Sequence, residues 1–512
     1  MRALVSTGIL ILVLQINLYA QNSYLPLHRD IMLFTCQKKD SLHGFHSSIK
    51  PYLQSEIKID SSQLFRFHST SEKAPIHADQ SFKLTLRPLL IGMWGAGTGH
   101  VSRASAGADV RLQAGNNFSL VLSYLFNSEH FPDQYSALLD SGFIPHYGKY
   151  SSLANNNIYH YQAFTGYLSW SPFSFLNIQL GKDRNFWGEG YRSLFLSDNS
   201  NSYPFFKTTF TAWKIKYVSL LAFLKDVNLP GSVNVLYPKF CALHYLSWNA
   251  TNRLNISLYE SVTFKGKDST DFTAFDFQYV NPVLFYRPVE FSVGSPGKMH
   301  LGLGASYNFN DQYKLYAQFL LGEFVLKEFI AGTGWWGNKY GIQLGIQSPE
   351  AFGIHGLHLL IEGNMVRPYT YSHLYTLTNY GYEMQPMAHP LGANFIEGLI
   401  EAKYILKRNI ISFTLIHSIA GLDSANIDYG QNIYRNYSSR PSEYGISLLQ
   451  GMKSNYTALN LSFSRLLIPA WDLVIEAGMN GSYTQIQSHG QLQNFFYISL
   501  KTLLNNDESF IH

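Results

Sequence analysis

Apolar and polar residues alternate with a period of two over runs of about ten residues, the length of a tilted membrane strand. From 253 to 264, Leu254, Ile256, Leu258, Val262 and Phe264 share one face, and Arg253, Asn255, Ser257, Ser261 and Thr263 the other. From 300 to 309, Leu301, Leu303, Ala305, Tyr307 and Phe309 oppose His300, Gly302, Gly304, Ser306 and Asn308. Segment 340–347 sets Ile342, Leu344 and Ile346 against Gln343, Gly345 and Gln347, and 394–405 sets Ile396, Ile400 and Tyr404 against Glu397, Glu401 and Lys403. Segment 457–464 opposes Leu459, Leu461 and Phe463 to Asn460, Ser462 and Ser464. Segment 471–480 opposes Trp471, Leu473, Ile475 and Met479 to Asp472, Glu476 and Asn480.

Alternation alone also suits a soluble sandwich. Aromatic ends on the apolar faces, and Gly, Asn and Ser on the polar ones, favour a transmembrane barrel with a polar lumen. The runs between Phe82 and Leu503 amount to about 18 strands, an even number as single-chain outer-membrane barrels have. The fold expected is therefore all-β: an antiparallel transmembrane β-barrel with inward-folded or capping loops and a short N-terminal extension.

The first 20 residues read as an export signal: Arg2, an apolar stretch around Leu10–Leu14, and Leu18-Tyr19-Ala20 before Gln21. Residues 21–80 lack a sustained period apart from a short strand predicted at Glu56–Ile59, and read as a periplasmic or plug-like extension. The barrel is assigned to 81–504 and a tail to 505–512. Composition agrees with this division. Charged residues make up 14% of the 512, against roughly 25% in soluble domains. Aromatics reach 15%. Mean hydropathy is −0.07, and past the N-terminus no apolar run reaches the ~18 residues of a membrane helix. A net charge of +4 is too small to imply nucleic-acid binding. Two cysteines, Cys36 and Cys241, cannot supply a disulfide framework and are expected as free thiols.

Four stretches break the alternation and are dense in Gly, Pro, aromatic and charged residues: Gly181–Lys207, Tyr279–Lys298, Phe329–Lys339 and Val366–Asn394. In a porin-like barrel such stretches fold inward or cap the pore. Within the first, Trp187-Gly188-x-Gly190 followed by Ser193-Leu194-x-Leu196-Ser197-x-Asn199 resembles the motif of Wzi-type capsule-assembly proteins, which usually have Pro where this chain has Glu189. Asn281-Pro-Val-Leu-Phe-Tyr-Arg-Pro-Val-Glu-Phe291 and Arg367-Pro-Tyr-Thr-Tyr-Ser-His373 are similar to a branch of that family associated with gliding motility. The resemblance implies a barrel of the Gram-negative outer membrane, exported by the general secretory route. It further implies binding of surface or capsular polysaccharide in support of capsule assembly or surface motility.

The side chains of these stretches suit an anionic glycan. Trp187, Trp335, Trp336, Tyr369 and Tyr371 offer flat faces for sugar C–H groups. Arg184, Arg192, Arg287 and Arg367 offer forked donors for carboxylate or phosphate, with Glu189 and Asp198 as polar partners. The same residues admit a purely structural role: the arginines pairing with Asp183, Glu189, Asp198 and Glu290 across the lumen, and the tryptophans packing a plug. Catalytic signals fail. Gly332-Thr-Gly-Trp-Trp-Gly337 has the spacing of a dinucleotide loop without its βαβ context. His355 and His358 fall on opposite sides of a strand, so neither a metal nor a cofactor is expected, and no enzyme. The expected partners are outer-membrane lipid, an anionic polysaccharide and motility or secretion-machinery proteins, with the barrel a monomer and no nucleic acid involved. The rival readings are an accessory scaffold subunit of an export or gliding machine, and a porin-like solute channel.

Overall fold

The computed structural model describes residues 23–31, 45–56, 82–154, 157–227, 235–265, 297–310 and 312–503. The expected signal, the tail, Cys36, Arg287, Glu290 and most of the stretch Tyr279–Lys298 lie outside them. So does the strand predicted at Glu56–Ile59 beyond Glu56, which itself ends a 3-10 turn, Gln54–Glu56.

Eighteen strands form one closed antiparallel barrel. The first, Phe82–Gly97, pairs with the last, His489–Thr502, over Ile91↔Lys501 to Gly97↔Phe495, so no sheet edge is left open. Among the described residues no helix is long and apolar enough to cross a membrane. The alternating runs became wall strands at the expected places: Leu254–Lys265, Lys298–Phe309, Tyr340–Ser348, Phe395–Leu406 and Met452–Ile468. One boundary moves. Asp472 has a left-handed φ of 49° after the turn Pro469–Trp471, so that strand begins at Leu473 and Trp471 belongs to the turn.

The two ends of the barrel differ. Turns 115–117, 174–175, 213–214, 250–253, 349–356, 407–408 and 469–472 are short and share one end. Among the described residues, the opposite end carries 131–154, 184–202, 322–339, 367–394 and 423–451, and the short links 98–99 and 487–488. In outer-membrane barrels the short turns face the periplasm and the long loops the outside. Outward-pointing side chains such as Leu86, Trp94, Phe126, Leu303, Leu344 and Phe496 are large, apolar and exposed, as a lipid-facing wall requires.

The lumen is polar in one sector and apolar in another, which the expected polar interior did not anticipate. Glu397, Glu401, Thr414, Ser418, Asn460, Ser462, Asn480 and Ser482 are buried toward the inside, as the alternation predicts. In the strands Tyr203–Ala212, Ile215–Val227 and Leu236–Asn249 the inward face instead carries an apolar middle of Tyr203, Phe205, Val218, Leu220, Leu243 and Tyr245, all buried, flanked by buried polar residues such as Lys207, Lys216 and Lys239. A strand covered on both faces loses its alternation, and the run 217–224 is nearly continuously apolar for that reason.

What covers that inner face is the chain itself. Trp187, Leu194, Phe195 and Leu196 from the loop 184–202 form one apolar cluster with these wall residues, joined by Ile49 and by Tyr371, Tyr380, Tyr382, Met387 and Ala388 from the loop 367–394. The described parts of the N-terminal segment also lie inside the wall. The Tyr24 hydroxyl donates to Asn177 Oδ1 (2.7 Å), Lys403 Nζ to Asp30 Oδ1 (2.6 Å) and Lys216 Nζ to Glu56 (2.7 Å). Ile49–Lys50 pairs antiparallel with Phe186–Trp187 inside the barrel. Cys241, on the inward face of its strand, is a buried free thiol.

Candidate functional site at the barrel mouth

The sequence-predicted residues separate into an inner and an outer group. The inner group is built by the motif loop 184–202, which wall side chains hold at mid-lumen. The Glu362 carboxylate accepts the backbone N–H groups of Tyr191 (2.9 Å) and Arg192 (3.1 Å) and the Tyr316 hydroxyl (2.7 Å). A side chain at position 190 would collide with that carboxylate, so Gly190 is required by close approach. Gln318 Oε1 accepts from Leu194 N (2.8 Å), and the Ser193 hydroxyl from the backbone N–H of Phe195 (3.1 Å). Ser197 N donates to Met387 O (2.8 Å) and Asn199 Nδ2 to Pro386 O (2.9 Å), tying the loop to 367–394. The serines, leucines and Asn199 of the motif thus build the filling of the lumen.

The charged and aromatic members of this group are likewise engaged. Trp187 is 0% exposed and packs its ring 5.5 Å from Tyr245. Glu189 accepts from Ser47 Oγ (2.8 Å) and pairs with Lys314 (3.2 Å). Arg192 pairs with Glu397 (3.4 Å), which His389 also meets at 2.8 Å. Tyr371 donates its hydroxyl to Leu194 O (2.8 Å) and stacks on Tyr380. Arg184 is buried, donates Nη2 to His146 O and lies 5.5 Å from the Tyr147 ring centre; its Nε and Nη1 have no hydrogen-bond partner among the described residues. Asp198 is half-buried in the same loop.

The outer group lies where the loops 322–339, 367–394 and 423–451 meet. Trp336 is its hub. Its ring is 4.7 Å from Tyr437 and 6.2 Å from Tyr369, and its Nε1 donates to Glu443 Oε2 (2.6 Å). The Arg440 guanidinium sits 4.0 Å over the Trp336 ring and also pairs with Glu443. Lys339 Nζ lies 4.3 Å from the Trp336 ring centre and 4.1 Å from that of Tyr437, within cation–π range. Arg367 donates Nη2 to Ile446 O (3.1 Å), and Tyr369 donates its hydroxyl to Asp428 O (2.7 Å), which locks two loops together. Half-buried Trp335 lies over Gly337, where any side chain would strike its ring. Lys298 reaches the same Glu323 that Lys339 binds, at 3.6 and 2.9 Å, and Lys265 lies 4.3 Å from the exposed Tyr375 ring.

Lys265, Lys298, Lys339, Arg367 and Arg440 are thus gathered at the mouth around Glu323 and Glu443, with Asp423 and Asp428 beside Tyr369. The field shows in the titrating groups. Burial raises the cost of charging Glu323, yet Lys298 and Lys339 hold its carboxyl down at about 2. Burial and the same two lysines push His373, 5.8 Å from Tyr437, down to about 3. Farther along, burial and the like charge of Asp423 push Asp428 up to about 6, so the lysine field does not extend to that side. A second anion arriving here would meet cations that the fold has already gathered and partly desolvated.

Of the predicted residues, Trp335, Trp336, Arg367 and Tyr369 come together at the mouth. Arg184, Trp187, Glu189, Arg192 and Tyr371 belong to the buried filling instead. Sequence reasoning missed Lys298, Lys339, Tyr437, Arg440 and Glu443. Lys339 closes an irregular stretch already noted for its tryptophan pair. Tyr437-Ser-Ser-Arg440-Pro-Ser-Glu443 carries an Arg and a Glu three apart in a turn-rich segment, the one local signal it offered.

No family model and no curated protein sequence matches the chain. Among solved structures it is similar to Wzi, an outer membrane protein involved in group 1 capsule assembly in Escherichia coli and described as a carbohydrate-binding β-barrel. That similarity has a TM-score of 0.57 at 11% identity, covering 94% of this chain and 99% of Wzi. Weaker similarity links it to the outer membrane protein OprD of Pseudomonas aeruginosa (TM-score 0.45, 9% identity, 86% of this chain and 100% of that one). OccAB2 of Acinetobacter baumannii is comparable (TM-score 0.43, 9% identity, 82% and 97%). At these identities the likeness is one of fold: this chain has the fold of an outer-membrane β-barrel.

Proposed function

We propose that this protein resides in the Gram-negative outer membrane and binds an acidic surface polysaccharide at its outer mouth, supporting capsule assembly or surface motility. The observation that carries the reading is the half-buried set of Trp335, Tyr437, Arg367 and Arg440 held around the buried Trp336 and Lys339. Aromatic faces pack on sugar rings, and forked or point cations pair with uronate or phosphate groups. The apolar filling of the lumen favours binding over solute conduction as the role of the barrel. Carbohydrate binding is also what the solved Wzi barrel is described as doing.

A glycan array probed with the purified, detergent-solubilised barrel tests this. Polymers bearing uronate or phosphate should bind, neutral polymers should not, and Arg440→Ala should weaken the signal. Binding should fall between 0.1 and 1 M salt, where the Debye length shrinks from about 10 Å to about 3 Å. A silent array together with large stable single-channel currents in planar bilayers would replace this reading with the porin-like one.

A further inference from the structure

The loop that supplies Trp335, Trp336 and Lys339 carries a second feature that glycan contact does not use. It leaves the wall as a continued ladder, with Gly322 N donating to Lys339 O (2.8 Å) and Lys339 N to Glu323 O (2.8 Å). It then forms a single helical turn, Leu326–Ile330, closed by the bonds Phe329 N to Val325 O and Ala331 N to Lys327 O. Leu326, Phe329 and Ile330 stand at i, i+3 and i+4 and so share one face. That apolar face is the exposed one: Leu326 is 61% exposed and Ile330 75%, with Val325 and Phe329 exposed beside them.

The position of this face identifies what it meets. Phe324 and Phe329 pack on Tyr340, with ring centres 6.3 and 6.0 Å apart, and Phe319 lies 6.4 Å from the same ring. Tyr340 and Phe319 point outward. Their neighbours Gly341, Gln343, Gln318 and Leu320 are the buried, inward residues of the same strands, and Leu321↔Tyr340 and Phe319↔Ile342 are paired rows. The exposed turn is therefore continuous with the lipid-facing wall at its outer rim. A cluster of exposed apolar side chains beside a lipid-facing belt has the composition of a membrane-interface element, with Lys327 and Glu328 as its polar flank.

We infer that the turn Val325–Ile330 is seated in the acyl-chain boundary of the outer leaflet and anchors the loop bearing Trp335, Trp336 and Lys339 to the bilayer surface. The occupant of its apolar face is lipid, and the inference holds whatever the mouth binds.

Site-directed spin labelling of the full barrel tests it. Leu326→Cys, Lys327→Cys and Ile330→Cys would each be labelled with a nitroxide in a chain carrying Cys36→Ser and Cys241→Ala, and reconstituted into dioleoylphosphatidylcholine vesicles. Heat-modifiable gel mobility selects folded barrels. At positions 326 and 330 collision with oxygen should exceed collision with a water-soluble nickel chelate several-fold, and at 327 the ratio should fall toward its aqueous value. Labels at 326 and 330 that collide chiefly with the nickel chelate would overturn the inference. Labels shielded from both reagents would overturn it equally, since a protein surface would then cover the turn.

Discussion

The loops 184–202 and 322–339 are built from the same kinds of residue and are put to different use. Each carries tryptophan, glycine and charged side chains. In the first, Trp187 is sealed among Tyr245 and Tyr259, and Arg192 faces Glu397 within the barrel. In the second, Trp336 lies at the mouth under Arg440, its Nε1 donating to Glu443, and Trp335 stays half-buried. Residue type thus does not separate a binding surface from a filling. What separates them is the edge of each cluster: Trp336 and Lys339 are buried like Trp187, but they are bordered by half-buried Trp335, Arg367, Tyr437 and Arg440, and a half-buried cation still has solvent to exchange for a ligand.

The contrast is tested most severely at Trp187. Trp187→Ala removes the largest fully buried side chain of the filling and should cost about 3–5 kcal/mol. The heat-resistant fast-migrating form on gels should be depleted. Trp336→Ala should leave that form in place and lower polysaccharide retention at the cell surface. Equal loss of folded barrel in both would erase the distinction between the two loops.

The wall supplies a reference of slightly smaller size. Leu303, exposed on the lipid-facing side, should tolerate Leu303→Ala, while Leu303→Arg places a cation in hydrocarbon at about 2–4 kcal/mol. Assembly yield in outer-membrane fractions reads the difference. Comparable yields for the two variants would place Leu303 away from lipid.

A finer comparison pits Arg192 against Arg367. Arg192→Ala leaves the buried Glu397 with His389 and Asn364 as its side-chain partners, and should cost about 1–3 kcal/mol of unfolding free energy. Arg367→Ala, at a half-buried rim position, should change stability by about 0.5 kcal/mol or less and act on polymer binding. The comparison breaks if urea midpoints shift equally and binding is unaffected by either.

The smallest expected effect is on pH. His373 is held neutral, with its value moved from 6.5 to about 3. Its contribution is therefore complete above pH 6.5 and is lost as pH falls toward 3. Glu323 works in the same direction over a lower window, from 4.5 to about 2. The urea midpoint read by tryptophan fluorescence should begin to fall below pH 6.5, and in His373→Gln that fall should be delayed to the Glu323 window. An unshifted profile in His373→Gln would assign the change to another group.

The wall was legible because its rule is local. A strand between lipid and a polar lumen must alternate, so 254–264 and 300–309 announce their faces residue by residue. The rule failed where both faces are covered: 217–224 is apolar but for Ser219, since Val218 and Leu220 meet the lumen filling while Phe223 is exposed on the outer wall. The loops 131–154 and 423–451 were not singled out at all, although 423–451 brings Tyr437, Arg440 and Glu443 to the mouth. The family-like motif was legible as a pattern, but its serines, leucines and Asn199 turn out to bind backbone and wall inside the barrel. A motif read from spacing cannot show whether its side chains face a ligand or the rest of the chain.

By itself, then, the sequence determined an antiparallel barrel of about eighteen strands, its lipid-facing residues and the places where regular pairing stops. These depend on period, strand length and side-chain polarity, all carried by neighbours along the chain. Which arginines and tryptophans lie in the lumen and which at the mouth was decided only by tertiary structure. Lys339 and Arg440 lie a hundred residues apart in sequence and meet over one indole ring because closure of the barrel sets their loops side by side. A contact of that kind has no local signature, since its free energy appears only once the wall has closed and the lumen has filled.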